Sequence, residues 1–171
     1  IEHHARKSYY DDSWLYYCRA NIEALLGKYD DAIADFSQAL ELTPKNDNAH
    51  RTRILICRSG CYYYNKDYAN TETDLMSALI YDDGTMLSDI SASLGDLYLG
   101  MGQYTKALLA ADGLLEIDEY LAYAHYIKVY AHLGLEEYNS AIDNAIAMAM
   151  YDLSNVDDFE FKWMLWHDVE Y

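Results

Sequence analysis

A tyrosine that follows a turn and opens a run of helix-forming residues recurs at Tyr29, Tyr68, Tyr104 and Tyr138, in steps of 39, 36 and 34 residues by subtraction. Self-similarity at such a period restricts the fold strongly: each repeat is one small supersecondary unit, and it buries its apolar face only by stacking on its neighbours. The best-formed unit contains Gly27 to Pro44, GKYDDAIADFSQALELTP. Its Ala32, Ile33, Phe36, Ala39, Leu40 and Leu42 recur at three- and four-residue spacing, which places them on one stripe of a helix. Gly27 ends the preceding helix at low steric cost, Asp30 and Asp31 suit the positive end of the next, and Pro44 stops it. Before that turn, SWLYYCRANIEALL is a second helical run, with Ser13 as its expected N-cap. The unit is a short-turned helical hairpin.

Small residues at Ala20, Ala32 and Ala39, with Tyr29, Phe36 and Pro44, make this hairpin resemble the tetratricopeptide repeat, a protein-interaction scaffold. The resemblance implies an all-α fold, a right-handed superhelix (an α-solenoid) of about four hairpins near residues 13–46, 49–83, 87–119 and 120–153. Residues 1–171 then form a single domain. Residues 1–12 carry no clear helical period. The second copy departs at Thr71 and Asp83, where alanine and proline are usual, and the surplus in the first step lengthens the helix or loop around Asp47 to Arg53. In the third, Ala111 replaces an aromatic and Leu114 a small residue, which implies a shifted helix crossing. The fourth has Ile127 and Met148 at small positions and reads as having two extra residues between Gly134 and Tyr138. In the tail, Phe159, Trp163 and Trp166 share one helical stripe and Phe161, Leu165 and Val169 another. A helix at about 156–169 is therefore expected to cap the array, and its second stripe keeps open a homodimer or partner contact.

With 12 basic against 29 acidic residues the chain carries a net charge of −17, which repels phosphate backbones and anionic lipid. Nucleic acid and membrane surfaces are thus poor partners, and a basic or neutral peptide a better one. No run of about 18 apolar residues reads as a membrane span. Cys18, Cys57 and Cys61 are an odd number without a disulfide framework, leaning towards a reducing, cytoplasmic compartment. Cys57 and Cys61 lack a second ligand pair at matching spacing, so buried thiols are expected and not a metal site. Neither a nucleophile with its base nor convergent ligands is visible, and no enzyme activity or cofactor is expected. The start at Ile1, without methionine, leaves room for an upstream segment.

In the repeat family, binding falls to the first helix of each hairpin. Carried over position by position, the resemblance implies a groove formed by Trp14, Tyr17, Asn21 and Leu25 in the first repeat, and by Arg53, Ile56, Tyr63 and Tyr64 in the second. Asp89, Asp96 and Leu99 follow in the third, and Lys128 and His132 in the fourth. Trp14, Tyr17, Tyr63 and Tyr64 would give this groove an aromatic wall suited to peptide recognition. One subclass of the family grips a terminal carboxylate with lysine, arginine and asparagine. Here only Asn21 matches, while Tyr17, Cys57, Asp89 and Ser93 occupy the other positions, and the aspartates argue against that ligand.

Overall fold

The computed structural model describes residues 2–116 and 121–154. They form eight α-helices: α1 (Glu2–Leu25), α2 (Tyr29–Leu42), α3 (Asn48–Tyr64), α4 (Tyr68–Tyr81), α5 (Leu87–Gly100), α6 (Tyr104–Leu114), α7 (Leu121–Gly134) and α8 (Tyr138–Ser154). Each packs on the next, and α1, α3, α5 and α7 also touch in succession, so the first helices line one continuous face of an all-α solenoid. The expected capping helix at about 156–169 lies outside the described residues.

All four hairpins turn in the same way. One residue before the end of the turn has positive φ, at Gly27 (71°), Lys66 (60°), Gly102 (67°) and Glu136 (61°). The next amide then donates back across the turn, from Lys28, Asp67, Gln103 and Glu137 to the carbonyls of Glu23, Tyr62, Tyr98 and His132 at 2.8–2.9 Å. This is the six-to-one bond of a Schellman motif, which satisfies a carbonyl left over at a helix end. The fourth turn therefore carries no insertion. Gly134 ends α7 as Gly100 ends α5, and Glu136 fills the left-handed position that Gly102 fills one repeat earlier. The surplus in the first step lies in α3, 17 residues long against 14 for α5.

The first helix begins at Glu2 and not at Ser13, so Ser13 is no N-cap. Its buried hydroxyl donates to the Ala39 carbonyl (3.0 Å) and meets Thr43 Oγ1 (2.8 Å) and His50 Nε2 (3.2 Å), tying α1 to the end of α2 and the start of α3. Aspartates do cap later helices: Asp47 accepts from the His50 amide and Asp67 from the Asn70 amide. Asp82 accepts from the amides of Gly84 and Met86, a turn role for one of the paired acids.

Small residues sit at the crossings as the sequence implies, with Ala20, Ala32, Gly95, Ala107 and Ala141 all buried. The irregular positions compensate one another. Leu114 is fully buried, and it packs in one cluster with Ala124 and Ala131 of α7. Those alanines replace Ile90 and Leu97 of α5 at equivalent positions. Ile127 is likewise fully buried, and Gly95 leaves it room: a Cβ on Gly95 would stand 2.5 Å from Ile127 Cδ1. Buried Asp35 and Asp74 are held by Arg19 and Arg58, and Arg58 Nη1 also reaches Ser37 Oγ on α2 at 2.8 Å. Such charges are retained because each is paired and hydrogen-bonded.

Candidate peptide-binding face

Applying the repeat steps to the first helices gives rows of equivalent residues across the solenoid. Trp14, Arg53, Asp89 and Tyr123 form one row. Asn21, Gly60, Asp96 and Tyr130 form another, two turns further along. Electrostatic neighbours bear out this adjacency: Asp89 acts on Cys57, Asp96 on Tyr64 and Tyr123, and Tyr63 on Tyr123.

At the α1 end, the half-exposed Trp14 ring lies 5.2 Å from Tyr17 and 5.6 Å from His50. Tyr17 also packs 5.9 Å from Phe36, and its hydroxyl meets Cys57 Sγ at 3.7 Å. Burial, reinforced by the neighbouring thiol, pushes the Tyr17 phenol up to about 12. Burial likewise raises Cys57, and it pushes Cys61 up to about 11, so both thiols stay protonated and poorly nucleophilic at neutral pH. Asn21 Nδ2 donates to the Tyr17 carbonyl at 2.8 Å within its own helix. Arg53 is exposed beside Tyr17 and His50.

A second aromatic group lies at the other end of α3, so the four expected rings do not form one wall. Tyr64 stacks on Tyr29 at 5.0 Å, and Tyr63 is edge-on to Tyr64 at 6.0 Å and tilted on Tyr68 at 5.8 Å. Tyr63 belongs to the packing between the second and third hairpins: it joins their core cluster, and its hydroxyl would stand 3.1 Å from a Cβ on Gly100. Ile56 packs in the same cluster. On α7, Tyr123 stacks on Tyr126 at 5.7 Å and its hydroxyl donates to Asp96. Burial, then the Asp96 charge, hold that phenol far above its ordinary range.

Other expected groove residues are engaged elsewhere. Lys128 Nζ pairs with Asp112 of α6 at 2.7 Å, which turns it to the seam between hairpins. His132 Nδ1 pairs with Glu137 at 2.7 Å, Leu25 is exposed, and Leu99 packs in the third core cluster. Sequence reasoning missed His50 and the α7 tyrosines. Applying the row arithmetic to Trp14 and Asn21 would have found Tyr123 and Tyr130. Nothing local marked His50.

The face thus combines half-exposed rings, one exposed cation at Arg53, two aspartates, and an open floor at Gly60, where an added Cβ would meet nothing within 4 Å. Among the described residues no three His, Cys, Asp or Glu side chains gather closely enough to hold a metal ion. No described helix is long and apolar enough to cross a membrane.

An array of stacked hairpins with this face is a helical-repeat interaction scaffold. Residues 13–46 match the family model of the tetratricopeptide repeat. It is similar to the Protein SGT1 homolog of Bos taurus, 44% identical over 59 residues, which are 34% of this chain and 16% of that protein. The chain thus spans about a sixth of that relative's length. In structure it is similar to MamA protein, with a TM-score of 0.55 over 87% of this chain and 96% of that one. At 14% identity, that likeness concerns the fold alone.

Proposed function

We propose that this chain is a non-enzymatic module that holds an extended, basic peptide segment along the face of α1, α3, α5 and α7. The observation that carries the reading is the row Trp14, Arg53, Asp89 and Tyr123, one residue from each of the four first helices, in which the exposed Trp14, Arg53 and Asp89 lead to a partly buried Tyr123. Trp14 supplies contact area with few rotatable bonds. Asp89 and Asp96 outnumber Arg53, and the chain's −17 charge adds a field of the same sign. Burial keeps the thiols of Cys57 and Cys61 protonated at neutral pH, in keeping with a role in packing beneath this face.

The test is titration with randomised basic and acidic peptide pools at two ionic strengths, for the native chain, Trp14→Ala and Asp89→Asn. The basic pool should bind more tightly and weaken as salt rises. Trp14→Ala should cost about 2 kcal/mol, more than tenfold in affinity. A preference for acidic peptides would overturn the proposal.

A further inference from the structure

Five glycines lie within the described helices, and packing or position accounts for four of them. Gly95, Gly100 and Gly134 make room for Ile127, Tyr63 and Tyr104, which an added Cβ would crowd. Gly113 stands in the last turn of α6, where the helix is ending. Gly60 lies inside α3, and an added Cβ there would meet nothing within 4 Å, so it makes room for nothing within the described chain. It does so at a cost in helix propensity against alanine. The notch it leaves has a charged neighbour and a fixed ring. Asp96 of α5 follows Gly60 in the same row, and Tyr64 stands one turn further along α3. The Tyr64 ring is 44% exposed and pinned by its stack on Tyr29 at 5.0 Å and 9°. The Asp96 charge acts on the Tyr64 phenol, which places carboxylate and ring close together. Tyr123 donates its hydroxyl to Asp96 Oδ2, and a phenol donor orients the carboxylate without neutralising it.

We infer that the notch at Gly60 seats an arginine side chain of the bound peptide, with its guanidinium on Asp96 and against the Tyr64 ring. A guanidinium is planar, so it lies on an aromatic face while its N–H groups point to a carboxylate, an arrangement that a compact ammonium reproduces less well. Side-chain atoms at position 60 would occupy the space that the arginine stem takes. The inference rests on the peptide-binding reading above and adds the residue type that is read at one position.

The test uses three octapeptides in which alanine alternates with arginine, with lysine or with citrulline, the neutral isostere of arginine, titrated by fluorescence anisotropy. The proteins are the native chain, Asp96→Asn, Gly60→Leu and, as a control of equal charge loss on the same face, Asp89→Asn. Asparagine still accepts from the Tyr123 hydroxyl and leucine is a better helix former than glycine, so the melting midpoints should hold. The native chain should bind the arginine peptide most tightly. Asp96→Asn and Gly60→Leu should each weaken that binding by more than about tenfold and remove its lead over the lysine peptide. Asp89→Asn should weaken it by less than roughly threefold. Equal losses for Asp96→Asn and Asp89→Asn, or a native chain that binds the lysine or citrulline peptide as tightly as the arginine one, would overturn the inference and leave the peptide-binding reading standing. A native chain that binds neither basic peptide would overturn both.

Discussion

Replacing Gly95 by alanine should destabilise this protein or stabilise it according to what stands at position 127. Gly95 is buried in the middle of α5, where exchange of glycine for alanine would by itself gain about 1 kcal/mol in helix propensity. The new Cβ, however, would lie 2.5 Å from Ile127 Cδ1 and 3.3 Å from Cγ1. Carbon atoms pack best at roughly 3.5–4.0 Å, and Ile127 is fully buried. Overpacking of this kind costs about 1–3 kcal/mol, so Gly95→Ala should lower stability by roughly 1 kcal/mol net. Ile127→Ala alone should cost about 2–5 kcal/mol through the cavity it leaves. In that background the clash is gone, and Gly95→Ala should now stabilise by about 1 kcal/mol. Urea unfolding of the four proteins closes the cycle, with a coupling of about 2 kcal/mol. Gly95→Ala acting with the same sign in both backgrounds would refute the account of how the fourth repeat accommodates its bulky residue.

Four shorter expectations follow from the same geometry. Lys66→Gly and Glu136→Gly, which relieve positive φ at 60° and 61°, should each raise the urea midpoint by an amount worth about 0.5–1 kcal/mol; lowered midpoints would count against the shared turn. Ala32→Trp, at a fully buried crossing, should destabilise by about 1–3 kcal/mol or more, and an unchanged denaturation midpoint would displace the register of α2. Tyr63→Ala should lower the melting midpoint, whereas Trp14→Ala should leave it nearly unchanged, and the reverse order in paired melts would exchange their roles. Burial holds His50 below its ordinary 6.5, so the unfolded chain protonates it more readily; stability is full above that pH and falls below it. His50→Asn should therefore flatten the loss of melting midpoint between about pH 7 and 5, and equal slopes would refute that assignment.

The array was legible because its information is local and repeated. Gly27, Tyr29, Ala32 and Phe36 announce one hairpin, and the spacing of later tyrosines finds the others. The fourth turn misled because positive φ was sought only at glycine, whereas Glu136 and Lys66 adopt it under the hold of the turn's hydrogen bonds. Ser13 misled for a related reason: a serine before an apolar run looks like a cap, but its partners Ala39, Thr43 and His50 are distant in sequence. The shared face of the first helices was legible by row and not by residue. Position fixes that Trp14 and Arg53 share a face with Asp89, but whether Tyr63 or Lys128 is spent on neighbours depends on Gly100 and Asp112, which no local pattern connects to them.

The most direct measurement is the affinity and melting midpoint of Gly60→Trp beside the native chain, with the basic peptide pool as ligand. Gly60 lies between Asn21 and Asp96 in the proposed groove, and an added Cβ there would meet nothing within 4 Å. Filling it should block the groove floor while the better helix propensity holds or raises the melting midpoint. The account predicts more than tenfold weaker binding with no loss of stability. Unchanged affinity in a protein that melts as the native chain does would contradict it and move binding off this face.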